Sequence, residues 1–428
     1  MVVGQRGVGR SALGVLTVCL ELGCTGPESE PTLDSEAAAE TGTNEESGAT
    51  GDPSESNDAC LAAGGAFGIV ATHRVELHAQ GEEGNQWASP GLSVGPAGLR
   101  ASVRNRDEVD PRGYGFELTA DGDVVGPLEP IDATWAGARW WPGEGGVVAT
   151  HCNDGVPGWT FVGADGHAEA PSMDPQQPTQ CFSVPSAAWV SEDEALVAWF
   201  DLASECEHGI RCVRVTRAGA AGHEAIVDLF DGGSSTWSPS VSVAAGPDSA
   251  LVAMLRVDAP AQIVTQMIDL HGNPTAPTLA IEPPPSPESI DEIPRMDARA
   301  VPDGEGGFYV YLGGYGFSMG RMRLDASGEL SEPLQALPPI LEPRVWDVFN
   351  SELDAVHPRP GGWLAVGDAV SGGSVRTLLS ALDSRGEFVG HVLLDWSYDI
   401  AVASDGDRLF ALGVNSGAEL FELGCVVP

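Results

Sequence analysis

One unit of strand, tight turn and strand recurs along most of this chain, and it restricts the fold more than any composition figure does. It is clearest between Trp237 and Pro274, WSPSVSVAAGPDSALVAMLRVDAPAQIVTQMIDLHGNP. Residues 238 to 244 alternate, Gly246-Pro247-Asp248 turns, two apolar runs follow at 250 to 255 and 263 to 270, and His271-Gly272-Asn273-Pro274 closes the segment. A period of two marks a strand with two faces, and Gly, Pro, Asp and Asn supply the backbone angles that turns require. The stretch therefore reads as an antiparallel meander.

The turn before the second strand of this unit recurs seven times, beginning at Val94, Trp141, Val190, Ala245, Val301, His357 and Ala403. Each copy introduces an apolar strand, with VVATH, ALVAWF, ALVAMLR, FYVYLG and WLAVG the clearest. The copies stand roughly 46 to 57 residues apart, which suits one four-stranded propeller blade. A second marker keeps the same register: a polar residue and Gly end a strand at Asp121-Gly122, Asp165-Gly166, His271-Gly272, Ser327-Gly328 and Arg385-Gly386, with a weaker copy at Ala218-Gly219. These turns read as structural, because a calcium loop needs carboxylates at alternate positions. The expected fold is all-β, a β-propeller of seven four-stranded blades, with six or eight blades as alternatives. The 55 glycines and 32 prolines fit many short strands joined by turns.

The last copy is short of strands. Residues 66 to 80, AFGIVATHRVELHAQ, precede the first copy and read as a strand or two. Pairing of this N-terminal strand with the C-terminal blade closes the ring and removes exposed sheet edges.

Ahead of the repeats the chain changes character. Residues 1 to 24 have the pattern of an export signal: Arg6 and Arg10, then an apolar core over 11 to 20 that is too short to remain as a membrane anchor. Glu21-Leu22-Gly23-Cys24 follows and resembles a bacterial lipobox, in which a small residue precedes a cysteine that becomes lipidated. The resemblance implies lipidation at Cys24; ordinary secretory cleavage nearby is the alternative. Residues 25 to 58 carry acidic, small and hydroxyl residues and no Arg, too few apolar groups to offset the entropy of ordering, so a disordered acidic linker is expected. The layout is then 1–24 signal, 25–58 linker and 59–428 propeller. It resembles the uncharacterised propeller-like surface lipoproteins of soil and marine bacteria with large genomes. That resemblance implies export and a lipid anchor in the cell envelope, at the outer membrane or surface, or secretion if the lipobox is not used.

Apart from Cys19 and Cys24, the chain has Cys60, Cys152, Cys181, Cys206, Cys212 and Cys425. An even set in an exported protein suggests disulfides, with 15 connectivities open to six cysteines. Cys206 and Cys212 flank a short loop, Cys152 and Cys181 follow successive strands of one blade, and Cys60 with Cys425 would tie the two ends of the folded region. A metal reading of Cys206, His208 and Cys212 lacks close ligand spacing.

The formal net charge of -41 opposes nucleic-acid phosphates and anionic lipid headgroups, so no nucleic-acid partner is expected and contact with a membrane only through a lipid anchor. All 21 basic residues are arginine, which removes lysine nucleophiles, Schiff bases and the P-loop lysine. Two Gly-x-Ser-x-Gly matches occur, around Ser93 and Ser318, but neither precedes a helical pattern, as a nucleophile elbow requires. Asp231 to Trp237 approaches a sialidase Asp-box without its Ser or Thr and without repetition, and it reads as a loop. No HExxH occurs among the nine histidines. Trp135, Trp140, Trp141 and Trp159 crowd one blade, and Tyr309, Tyr311, Tyr315 and Phe317 another; if exposed on one face, they could stack on sugars or partner side chains.

The function that follows is a non-enzymatic, envelope-anchored binding or scaffold protein. It uses one propeller face or the channel mouth, takes an envelope protein or glycan as partner, needs no cofactor or metal, and is a monomer. The alternative is a propeller hydrolase of extracellular or cell-wall glycans. Three or more carboxylates converging on the channel beside exposed Trp would favour the hydrolase, and apolar or hydroxyl residues there the scaffold.

Overall fold

Branched and aromatic side chains alternating with small ones between Gly, Pro and Asp turns leave the chain little choice but short antiparallel strands. The computed structural model describes such strands and turns between Ala66 and Val426; residues 1–65, the segments 78–86, 106–112, 132–137, 164–180, 203–210, 234–239, 257–261, 283–295 and 338–352, and some shorter stretches lie outside the described residues.

The first strand, β1 (Ala66–Val75), belongs to the last sheet. Blade 1 is β2 (Trp87–Gly95), β3 (Gly98–Asn105), β4 (Gly113–Leu118) and β5 (Val124–Ile131). Blade 2 shows β6 (Arg139–Gly143), β7 (Gly146–Asn153) and β8 (Val156–Gly163). Blade 3 is β9 (Ser186–Trp189), β10 (Glu194–Asp201), β11 (Cys212–Gly219), β12 (Gly222–His223) and β13 (Val227–Asp231). Blade 4 is β14 (Val241–Ala245), β15 (Ala250–Arg256), β16 (Gln262–Ile268) and β17 (Leu279–Ile281). Blade 5 is β18 (Met296–Pro302), β19 (Phe308–Gly314), β20 (Phe317–Leu324) and β21 (Leu330–Ala336). Blade 6 is β22 (Leu353–Arg359), β23 (Gly362–Ser371), β24 (Ser374–Asp383) and β25 (Phe388–Leu393). Blade 7 is β26 (Asp399–Asp405), β27 (Arg408–Val414) and β28 (Ala418–Val426), with β1 outermost.

The first strand of each blade packs on the first strand of the next: β2 on β6, β6 on β9, β9 on β14, β14 on β18, β18 on β22, β22 on β26, and β26 back on β2. This is a seven-bladed propeller around a central channel. β1 runs antiparallel to β28, from Ala66 opposite Val426 to Val75 opposite Ala418, and so supplies the fourth strand of blade 7 and closes the ring. Blade 3 departs from the repeat. Its fourth strand is split in two, because both β12 and β13 pair with β11 while the residues between them leave the ladder. In blade 2 the place of a fourth strand falls in 164–180, outside the described residues.

The core is distributed between blades. Phe410, Leu420, Leu99 and Leu118 pack between blades 7 and 1; Leu251, Met267, Phe308 and Val310 between blades 4 and 5; Trp159 and Trp199 between blades 2 and 3. Each such side chain contributes about 1.5–3 kcal/mol by burial. Blades 1 and 2 meet differently. The Trp140 indole lies where any side chain on Gly91 would sit, beside a cleft of about 360 Å³ lined by Phe116, Arg100 and Glu117.

The polar-Gly turns between third and fourth strands share one mechanism. Asp325 Oδ1 accepts the backbone N–H of Ser327 (2.9 Å) and Glu329 (3.1 Å). Asp383 Oδ1 does the same for Arg385 (2.8 Å) and Glu387 (2.9 Å), and Asp269 Oδ1 for His271 (2.9 Å) and Asn273 (2.8 Å). The Ser327 hydroxyl and the backbone donors hold the Asp325 carboxyl below its usual range. The glycine that follows is seated on the preceding blade. A Cβ on Gly386 (φ +73°) would lie 2.1 Å from the Tyr311 hydroxyl of blade 5, and one on Gly328 (φ +82°) 2.4 Å from Met267 of blade 4. Gly122 and Gly272 sit against His73 and Val215 in the same way.

Gly304 has a similar φ, +78°, but open space around it. Gly304→Ala should therefore lose only the left-handed backbone penalty, about 1–2 kcal/mol, and Gly386→Ala that penalty plus an overpacking cost of about 1–3 kcal/mol against the buried Tyr311. Urea midpoints of the two variants test this, and equal losses would contradict the seat.

Candidate functional site in the central channel

The hairpin registers align the seven inner strands. The last paired residue before the first turn of each blade is Gly95, Gly143, Val190, Gly246, Asp303, Arg359 or Asp405. Four residues earlier stand Gly91, Arg139, Ser186, Ser242, Arg299, Ala355 and Ala401. Two residues earlier stand Ser93, Trp141, Ala188, Ala244, Val301, His357 and Ala403. Neither level carries a carboxylate.

Side chains at these levels lean on the next blade. Ser186 Oγ accepts the Val243 N–H at 3.1 Å, and Ser242 Oγ accepts the Ala300 N–H at 2.9 Å, one blade further on each time. Thr150 Oγ1 donates to the Pro185 carbonyl at 2.6 Å and accepts the Trp141 indole N–H at 2.9 Å. Trp189 Nε1 donates to the Trp141 carbonyl at 2.8 Å. These bonds satisfy inner-rim groups that would otherwise be buried without a partner.

The charged members of the two levels are Arg139, Arg299 and His357. Arg299 is 6% exposed; its Nη1 donates to Ser240 Oγ at 2.7 Å, and Nη2 stands 3.8 Å from Asp297 Oδ2. Ser240 also bonds Asp297. Arg139 is exposed and His357 half-buried. Burial, and then the positive charges of Arg139 and Arg299, push the His357 imidazole down to about 4. Two arginines from blades well apart in the ring thus act on one histidine across the channel. Carboxylates of the inner strands stand at other levels: Asp297 and Asp399 six residues before the turns, Asp354 five before, and Asp303 and Asp405 at the turns themselves.

The other sequence candidates occupy structural positions. Ser93 lies on β2, 4% exposed, and Ser318 on β20; each is followed by a strand hairpin, so neither has the strand-to-helix elbow of an esterase. Asp231 ends β13 and its Oδ1 accepts the Gly233 N–H at 3.0 Å; the rest of that stretch lies outside the described residues. Trp159 and Trp199 are fully buried, their rings 6.1 Å apart. Tyr309 is buried beneath the Arg321 and Arg323 guanidiniums, at 5.1 and 5.7 Å, a cation–π arrangement inside the blade 5 ion network. Those aromatics are packing groups, whereas Trp135, Tyr315 and the side chain of Phe317 lie outside the described residues. The fully buried Asp201 carboxylate meets Arg214 Nη1 at 2.5 Å, and Arg214 Nε meets Asp228 at 2.8 Å. Among the described residues no group of His, Cys, Asp or Glu could hold a metal ion.

Cys152 and Cys181 form a disulfide across a sequence separation of 29 residues. Cys212 and Cys425 are also disulfide-bonded, and the pairings expected for them involve Cys206 and Cys60, outside the described residues. Cys24 is likewise outside them.

Sequence reasoning scattered the nine histidines and passed over the channel arginines. Their signal was present: counted back four places from the aligned turns, every residue is Gly, Ala or Ser except Arg139 and Arg299.

No protein-family model matches the chain, and no curated protein matches it. Among solved structures it is similar to a protein from Lactobacillus plantarum, at 14% identity and a TM-score of 0.40 over 71% of this chain and 83% of that one. It is also similar to a chain from a structural and mechanistic study of two prolyl endopeptidases, at 16% identity and a TM-score of 0.42 over 77% of this chain. This chain spans 45% of that endopeptidase chain. Neither likeness carries a functional argument.

The depressed His357 value has a sign. The unfolded imidazole takes a proton near pH 6.5 and the folded one near 4, so stability present above 6.5 is lost as pH falls toward 4, by at most about 1.4 kcal/mol per pH unit. Relative to wild type, His357→Gln should flatten denaturation free energy against pH in that window; parallel curves would contradict the assignment.

Proposed function

We propose that this chain is a non-enzymatic binding or scaffold protein of the bacterial envelope, engaging a protein or glycan through the channel mouth or one propeller face. The observation that carries the reading is the composition of the inner rim. The two levels that stand two and four residues before the first turns hold small, hydroxyl, apolar, aromatic and cationic residues and no carboxylate, so they supply no pair for the acid and nucleophile roles of glycoside hydrolysis. The tryptophans that a glycan hydrolase would expose are, at Trp159 and Trp199, packed between blades. The lipid anchor is part of the same proposal. It rests on Gly23-Cys24 after a short apolar core and before an acidic stretch, a tether that would hold an acidic domain off a repelling membrane.

Cell fractionation tests the anchor. Wild-type chain should partition with membranes and Cys24→Ser should not; equal partitioning would remove Cys24 as the attachment point. The released Cys24→Ser chain, immobilised under oxidising conditions and exposed to envelope extract, tests the binding role. A stoichiometric protein or an intact glycan should be retained, while glycan fragments that shorten during incubation would replace the binding role with hydrolysis.

A further inference from the structure

We propose that the cleft between blades 1 and 2 is a saccharide site, in which a sugar ring lays its C–H face toward Trp140 and turns its hydroxyls to Arg100, Glu117 and Ser102. The inference rests on the glycan arm of the binding role proposed above and places that glycan between two blades.

Hairpin register shows why this interface differs from the other six. The residues facing the aligned turn positions across the first hairpins are Gly98, Gly146, Glu194, Ser249, Gly307, Gly362 and Arg408. Two residues further along the second strand, blades 2 to 7 carry Val148, Leu196, Leu251, Tyr309, Leu364 and Phe410. Each is buried in the apolar layer that its blade shares with the next. Blade 1 carries Arg100 at that place. Among the described residues, blades 1 and 2 share no such layer, and the cleft of about 360 Å³ stands there instead.

The two walls of the cleft differ in kind. On blade 1, Arg100 stands opposite Glu117 in the ladder and Ser102 opposite Gly115, with Glu129 opposite Gly115 on its other side. Arg100 Nη2 is 3.6 Å from Glu117 Oε1, beyond direct hydrogen-bond length, so both heads keep hydrogen-bonding capacity. On blade 2 the wall is Trp140 and the buried Val162. A Cβ on Gly91 would lie 2.2 Å from Trp140 Nε1 and 2.4 Å from Cδ1 and Cε2, so this glycine admits the indole and the backbone of β2 backs it.

A ligand for such walls is polar along one side and apolar along the other. A pyranose has C–H groups that pack on an aromatic ring, and its hydroxyls both accept from a guanidinium and donate to a carboxylate. An oxyanion would meet Glu117 and Glu129 beside a single arginine. A hydrocarbon would strip water from Arg100 and Glu117 and return no hydrogen bond. The volume lies at the small end for ligand sites, so the recognised unit is short.

The test is an array of neutral gluco-, manno-, galacto- and N-acetylglucosamine oligosaccharides probed with the full chain, followed by calorimetric titration of the best-retained one. At least one should bind saturably. Arg100→Gln, Glu117→Gln and Trp140→Leu should each weaken it about tenfold or more. Arg408→Gln, which breaks the ion pair with Glu422 in blade 7, should bind as wild type does. Thermal unfolding checks each fold. If Trp140→Leu does not fold, the Arg100 and Glu117 variants decide, because a partly exposed ion pair contributes little to stability. Retention of no oligosaccharide, or undiminished binding by either of those two variants, overturns the inference. An intact protein retained from envelope extract by a chain that binds no oligosaccharide would remove the saccharide site and leave the binding role standing, whereas glycan shortening would replace that role with hydrolysis whatever the array shows.

Discussion

The pairing of β1 with β28 is the contact on which the other six blades depend. A strand from the start of the folded region lies against the last strand, register partner for register partner, from Ala66–Val426 to Val75–Ala418. Its two faces serve different neighbours. Phe67 enters the apolar layer between blades 6 and 7, with Leu379 and Phe421. Val75 enters the layer between blades 7 and 1, with Leu99 and Phe410. Without β1, blade 7 would offer an open edge and two thinned interfaces. Because the partners stand at opposite ends of the folded chain, this closure is also the contact with the largest loop-entropy cost to form.

Neighbouring blades grip each other differently at the two rims. At the inner rim, hydroxyls of Ser186 and Ser242 reach forward to amides of the following blade. At the outer rim, the turn glycines Gly328 and Gly386 rest backward on side chains of the preceding blade. Between these rims lie the apolar layers. The same arrangement accounts for the channel's character: positions that lean on a neighbour close to the axis are mostly small, and the two large groups four places from the turn are arginines, Arg139 exposed and Arg299 buried with its head held by Ser240.

The repeat and the closure were legible because both rest on local chemistry. Alternation over 238 to 244, a Gly-Pro-Asp turn and the apolar run over 250 to 255 specify a hairpin whatever surrounds them, and the shortage of strands after Leu409 demanded a partner from residues 66 to 80. The split strand of blade 3 was not legible, because Val227–Asp231 and Gly222–His223 share one edge of β11 only by tertiary pairing. The tryptophan crowd left packing and display both open; Trp159 and Trp199 come together, their rings tilted by 35°, only once blades 2 and 3 are assembled. The channel histidine was hidden for a related reason. His357 borders a turn in the sequence, and its nearness to Arg139 appears only when the inner strands are brought to one axis in register.

Because Ala66 and Val426 face each other across one ladder, the order in which the blades are strung along the chain is separable from the order in which they stand in space. A covalent link between those two residues and a cut at an exposed hairpin elsewhere would leave every strand pair intact while giving the chain new ends. Circular permutants are tolerated where termini lie close together at a surface. The propeller has a joint in blade 7, and nothing in its packing obliges the joint to be there.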